Sequence, residues 1–200
     1  MRLNCLKTAI GAVAIIAQFS FTTGVGEGNT SKTQRLINHA KWQATQEVTY
    51  DGSYRKIDYP NGDVPANIGV CTDVVIRAYR AIGIDLQLFI HEDMLLNKSI
   101  YDKKRKTNRL DRSIDHRRCP NIRTFLDRQG ADLPVTKNGS DYLPGDLVFW
   151  DIAAGHVGIV IDQKVENTNR YYVVHNIGWG PYVSDFLFAA DIVDHYRWYP

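Results

Sequence analysis

Cys71 and His156 together hold the makings of amide-bond chemistry. Cys71 opens the run Cys71-Thr72-Asp73-Val74-Val75-Ile76-Arg77, and His156 follows Gly155 at the head of His156-Val157-Gly158-Ile159-Val160. A thiol attacks only as the thiolate, and an ordinary pKa of about 8.5 leaves little of that form at neutral pH. Backbone N–H groups at a helix start lower the pKa, and a neighbouring imidazolium lowers it further. The chemistry that fits is acyl transfer: Cys71 as nucleophile, His156 as general base, and a third polar group orienting the base. His175, which ends the apolar run Tyr172-Val173-Val174, is the candidate for that third place. Asn176 is the alternative, on the opposite face if the strand stays regular. A bonded structural histidine is the competing reading of His156, and the second histidine favours use over structure.

These groups need rigid elements. Cys71, Val74, Val75, Ala78 and Ile82 share one helical face and Gly83 is a C-terminal stop, so a helix from about 71 to 82 carries Cys71 in its first turn. Gly69 allows an unusual backbone angle on the approach. Upstream, Ser31 caps an amphipathic helix predicted to run to about residue 47 through Leu36, Ile37, Ala40 and Ala44. The stretch from Tyr50 to Val70 is rich in turn formers and reads as an ordered loop. Short helices are expected after Asp85 and from Ile122 to Gln129, with a polar, basic segment between them. After Pro144-Gly145 the pattern becomes that of strands: Asp146 to Trp150, His156 to Ile161 and Tyr171 to Asn176, paired antiparallel. A helical turn or two is expected over residues 185–192, then a last strand over Tyr196 to Tyr199. Helices followed by strands argue an α+β fold.

The chain has 200 residues, 44% of them hydrophobic, enough for one domain, expected over residues 31–200. Its N-terminus has Arg2 and Lys7 before a short apolar run from Ala9 to Phe21, the pattern of a secretory signal peptide, residues 1–26. An uncleaved anchor is the alternative, although the run is short of the roughly 20 residues a span needs. The formal charge of +2 falls to about neutral once Arg2 and Lys7 are removed, which argues against a general nucleic-acid binder. Export to the periplasm or outside leaves Cys71 and Cys119 where pairing is allowed, so a disulfide between them competes with the free nucleophile. Their spacing is not that of a metal knuckle. A zinc site from His116, His156 and His175 is a weaker idea, because no compact His-x-x-x-His pair is present. No cofactor or metal is expected.

Pro144-Gly145-Asp146-Leu147-Val148-Phe149-Trp150, Gly155-His156-Val157-Gly158-Ile159-Val160, the later His175 and a cysteine at a helix start resemble, in order and spacing, the NlpC/P60 cell-wall peptidases of the papain-like superfamily. Tyr59-Pro60-Asn61-Gly62-Asp63 and Asp115-His116-Arg117-Arg118 are similar, more narrowly, to a bacterial branch whose domain has no settled function. The resemblance implies a papain-like fold: N-terminal helices, including the cysteine helix, packed on a C-terminal antiparallel β-sheet. It also implies a Cys71-His156-His175 triad and hydrolysis of the peptide part of peptidoglycan by a monomer. Thr72-Asp73 departs from the small residues many relatives carry there, which bears on the substrate pocket. Four residues are candidates for substrate contact. They are Asp73, His116 oriented by Asp115, Arg117 as a carboxylate clamp beside Arg118, and Trp179 lining the cleft; for the Asp-His-Arg-Arg run a structural ion-pair cluster is the alternative. The basic run Lys103, Lys104, Arg105, Lys106, Arg109 and Arg112 is either a solvated loop or an anion-binding face. The rival to the enzyme is an envelope module that keeps the fold and binds wall fragments or a partner protein.

Overall fold

The computed structural model describes residues 31–102 and 109–199. The predicted signal peptide and Lys103 to Lys106 lie outside these residues. Ser31 caps the first helix, α1 (Lys32–Gln43), accepting from the Gln34 N–H at 3.1 Å. The helix ends four residues earlier than expected. A two-residue strand, β1 (Thr49–Tyr50), pairs in parallel with β2 (Ile68–Gly69), pinning both ends of the long loop between them. The cysteine helix, α2 (Cys71–Arg80), follows at once and stops before Gly83, whose φ of +85° reverses the chain. Asp85 caps α3 (Leu86–Leu96). α4 (Lys98–Asp102) comes next, then a 3-10 turn over Asp115–Arg117, then α5 (Cys119–Arg128). Among the described residues no helix is long and apolar enough to cross a membrane.

The fold is α+β, with these helices packed on a six-stranded antiparallel sheet. Its strands are β3 (Asp132–Leu133), β4 (Leu147–Trp150), β5 (His156–Lys164), β6 (Tyr171–His175), β7 (Tyr182–Ser184) and β8 (Ile192–Tyr196), in the order β3-β8-β4-β5-β6-β7. Strand alternation sorts the side chains onto two faces. Leu147, Phe149, Val157, Ile159, Ile161 and Val174 meet the helices, against Leu36, Val75 and Ile122 among others. Val148, Trp150, Val160 and Val173 form a second cluster with Tyr142 and Leu187.

That second cluster explains the main departure from the sequence reading. Residues 185–191 form no helix; they are turns, and Phe186 and Leu187 pack onto the sheet's far face. The last strand accordingly lies at Ile192–Tyr196, ahead of the predicted Tyr196 to Tyr199. Helix α5 begins at Cys119, three residues before the predicted start, with Pro120 in its first turn, where the missing N–H costs nothing.

Asp146, inside the Pro-Gly-Asp turn that opens β4, is fully buried and ties that turn to β8. Its carboxylate accepts from His195 Nε2 at 2.7 Å, from Arg197 Nε at 2.7 Å and Nη2 at 2.8 Å, and from the Leu143 N–H at 2.8 Å. Burial alone would raise this carboxyl, but the bonds from His195 and Arg197 outweigh it and hold it below the ordinary range. A depressed folded-state value means that the stabilisation is present above the usual carboxylate pKa and lost as pH falls through the folded one. Asp146→Ala is expected to cost about 3 kcal/mol, the low end for breaking a buried pair because Arg197 reaches solvent. Urea denaturation of the variant at neutral pH and near pH 3 measures it: the deficit shrinks in acid.

Candidate active site

The start of α2 is built by a carboxylate that works in two directions. Asp73 Oδ2 accepts the Val70 N–H at 2.7 Å, satisfying one of the donors a helix start leaves open. The same carboxylate takes a bidentate pair from Arg117, Nε to Oδ1 and Nη2 to Oδ2, each 2.8 Å, with both side chains buried. Thr72 Oγ1 donates to the Arg117 carbonyl at 2.9 Å. Thr72-Asp73 therefore anchors the 3-10 turn and, behind it, α5 against the cysteine helix. Gly69 does not use a positive φ; an added Cβ there would sit 3.2 Å from Asp73 Oδ2, so its smallness serves close packing.

Cys71 is 6% exposed and borders a cleft of about 660 Å³, together with Tyr50, Tyr54, Arg118, Cys119 and Gly155. Cys71 and Cys119 are free thiols. The Cys119 thiol is hydrogen-bonded to Cys71, and this bond does most to bring the Cys71 thiol down, to about 5. Burial opposes it, while a hydrogen bond and positive charge from His156 and the Val157 N–H reinforce it. Cys119 moves far the other way, held as S–H by donation to Cys71, by burial and by the charge on Cys71. Gly155, at φ +102°, passes so close that an added Cβ would stand 3.0 Å from Cys119 Cβ, which lets β5 begin directly beside the pair.

His156 Nε2 lies 2.8 Å from His175 Nδ1, and His175 Nε2 lies 2.7 Å from Ser184 Oγ. The register places His175 opposite Gly158, two residues along from His156 on the same face. An added Cβ at Gly158 would come within 2.6 Å of Val173 Cγ1 and 3.1 Å of His175 Cβ, so the bare glycine leaves His175 its place. The rings sit among Trp150, Phe186 and Tyr182, with His175 4.3 Å from Phe186 centroid to centroid. Burial, then the charge of His156, lowers His175 to about 3, so it stays neutral. When Cys71 and His156 exist as thiolate and imidazolium, both His156 nitrogens carry protons. His156 Nε2–H then donates to His175 Nδ1, and His175 Nε2–H donates to Ser184. With Nε2 so engaged, Nδ1 is the nitrogen left to serve Cys71.

Cys71, His156 and His175 are thus brought together with two further members, Cys119, which the sequence offered only as a possible disulfide partner, and Ser184, which it did not offer. Cys119 was signalled by Arg118-Cys119-Pro120, a helix start with proline in the first turn; Ser184, in a three-residue strand, carried no signal. Asn176 points elsewhere, donating to the Gly69 carbonyl at 3.3 Å and so tying the end of β6 to the approach to Cys71. Of the candidates for substrate contact, Asp73 and Arg117 satisfy each other, and Arg117 Nη1 is buried without a partner. His116 is buried, and burial followed by the Arg117 charge brings it down to about 4. Trp179 is 89% exposed in a separate hollow beside Glu47, Val48 and Asn67. Arg118, whose side chain is 44% exposed, faces the cleft while pairing with Asp115 at 3.7 Å. Arg112 lies over the Tyr59 ring at 5.2 Å. His116 is not joined to the two strand histidines, and among the described residues no group of three or more His, Cys, Asp or Glu is placed to hold a metal ion.

Two outcomes follow. Iodoacetamide alkylation of Cys71 should be half-maximal near pH 5, and removing either partner, by Cys119→Ala or His156→Ala, should move that midpoint upward. A midpoint near that of a free thiol in the unaltered protein would contradict the geometry. Asp73→Asn should destabilise the fold by about 3–5 kcal/mol in urea denaturation, since it leaves the Arg117 guanidinium buried without its charge partner.

Comparison with known proteins places this geometry in a family. The family described as Domain of unknown function (DUF1287) matches residues 37–198. A curated relative, "Uncharacterized protein YijF" of Escherichia coli (strain K12), is 44% identical over 166 residues, covering 82% of this chain and 80% of the relative. No solved structure gives a significant match. The match spans the cysteine helix, the cleft and the whole sheet, and the chain belongs to the DUF1287 family.

Proposed function

We propose that the protein is an exported cysteine hydrolase that cleaves amide bonds in the peptide part of peptidoglycan. The observation that carries this reading is the continuous chain from Cys71 through His156 and His175 to Ser184, beside an open cleft. A buried structural cysteine needs no such relay, whereas a nucleophile needs all of it. The resemblance to NlpC/P60 peptidases in motif order supports the substrate class, as do the leader and the half-exposed Arg118, suited to a carboxylate of a wall peptide.

In the reaction the Cys71 thiolate adds to the amide carbonyl carbon, and the carbonyl electron pair moves onto oxygen. The Cys71 N–H at the helix start is one donor for that oxyanion. Tyr50 is the candidate for a second: burial, then the charge of Cys71, raises its phenol, which keeps it a proton donor. Collapse breaks the C–N bond as His156 hands its proton to the departing amine. Water then attacks the thioester, giving a proton to His156 and releasing the acid, and the thiolate–imidazolium pair is restored.

The test is mass analysis of fragments released from purified peptidoglycan. New amine and carboxyl ends should appear with the unaltered protein and vanish with Cys71→Ala, and His156→Ala should slow release by about 10²–10⁴-fold. The rate should fall as pH drops below about 5, where Cys71 takes up its proton. Wall binding without release, unchanged in Cys71→Ala, would replace this reading with that of a binding module.

A further inference from the structure

The triad chemistry has no need of a second thiol, yet Cys119 borders the same cleft as Cys71 and bears on its thiol more than any other group does. The two cysteines open two different helices, α2 and α5, whose N-termini meet at the cleft. They are hydrogen-bonded, both are free, and both border the same opening to solvent. Their mutual placement is held by the Asp73–Arg117 pair and by Thr72 on the Arg117 carbonyl, one residue before the Arg118 cap of α5. Gly155 leaves just enough room over Cys119 for this contact.

We propose that Cys71 and Cys119 form a reversible dithiol–disulfide couple, closed by a low-molecular-weight disulfide and reopened by a dithiol reductant. In the first step the Cys71 thiolate attacks one sulfur of the disulfide RSSR. The S–S bond breaks, RS⁻ leaves and takes up a proton, and Cys71 is left as a mixed disulfide. In the second step Cys119 gives up its proton to solvent and attacks the Cys71 sulfur, expelling the second RS⁻. The two protein thiols are oxidised by two electrons in all, and RSSR is reduced to two RSH.

The order of attack follows from the site's asymmetry. Cys71 is the thiolate at rest and Cys119 the donor that stabilises it. Capping Cys71 removes its negative charge, and with it both the hydrogen bond and the repulsion that hold the Cys119 proton in place; burial still opposes ionisation, and Arg123 favours it. The resolving thiol is therefore made easier to ionise by the very step that requires it. The couple stands independently of the hydrolase reading; only its consequence, an enzyme switched off while oxidised, rests on that reading.

The experiment equilibrates the purified protein in buffers of reduced and oxidised glutathione, quenches with acid and maps the products by mass spectrometry. Expected are a peptide pair joined through Cys71 and Cys119, loss of iodoacetamide labelling, and full return of labelling with dithiothreitol. Cys119→Ser, which keeps a hydrogen-bond donor, should stop at glutathione attached to Cys71. The proposal is overturned if the unaltered protein accumulates that same adduct without closing the bridge, or if neither thiol reacts. The unaltered protein decides the matter even where the variant fails to fold. Peptidoglycan cleavage assayed on the same samples separates the two readings: a bridge without any cleavage in the reduced form sinks the hydrolase and leaves the couple standing.

Discussion

The Asp73 carboxylate stands between the cysteine helix and everything packed around its first turn. One oxygen closes the helix start at Val70, and both take the Arg117 guanidinium, with neither side chain able to reach water. Two charges withdrawn from solvent are costly unless paired and bonded, so this arrangement tolerates little rearrangement. Its rigidity passes along Arg117 to the 3-10 turn and from there to Arg118 and Cys119. The Cys71–Cys119 contact, the depressed thiol and the shape of the cleft all follow from an ion pair that touches no substrate. An acid in the first helical turn need not disfavour the thiolate when its charge is spent on an arginine.

The sheet supplies the complementary half. His156, Gly158 and His175 share a face by strand alternation, and the neutral second histidine gives the first a fixed acceptor. Trp150, Phe186 and Tyr182 surround the rings, and the turns over 185–191 close that face. A proton on His156 therefore has two directions open to it, towards Cys71 or along the chain to Ser184.

How far these features were legible depended on how local their causes are. Cys71, His156 and His175 could be found because each marks the end of a strongly patterned element: a helical face closed by Gly83, and apolar strands begun or ended by a histidine. The α+β order was legible for the same reason. The pairing of Asp73 with Arg117 was not, because the two lie 44 positions apart and nothing in the intervening pattern announces the pair. Residues 185–192 misled because Phe186, Leu187 and Ala190 fall at spacings a helix could use, whereas the sheet's second face takes them as turns. Cys119 was read as a possible disulfide partner of Cys71, but its place at a helix start was hidden by a start set at Ile122, when the proline at 120 already allowed an earlier one.

Strand β7 is the outermost strand on its side of the sheet, three residues long, with Val183 37% exposed. Edge strands of this kind open at far smaller free energy than the core they border. Ser184 belongs to that strand, while Cys71 and His156 belong to elements packed on both sides. The relay therefore runs from the most firmly held part of the domain to one of the least. Fraying at the edge disconnects its far terminus and frees His175 to turn, while the thiol and its first histidine stay in place. Relay geometry and folding stability are in this way governed by different regions of the same sheet, and a protein still fully folded by any global measure can already have lost the orientation of His156.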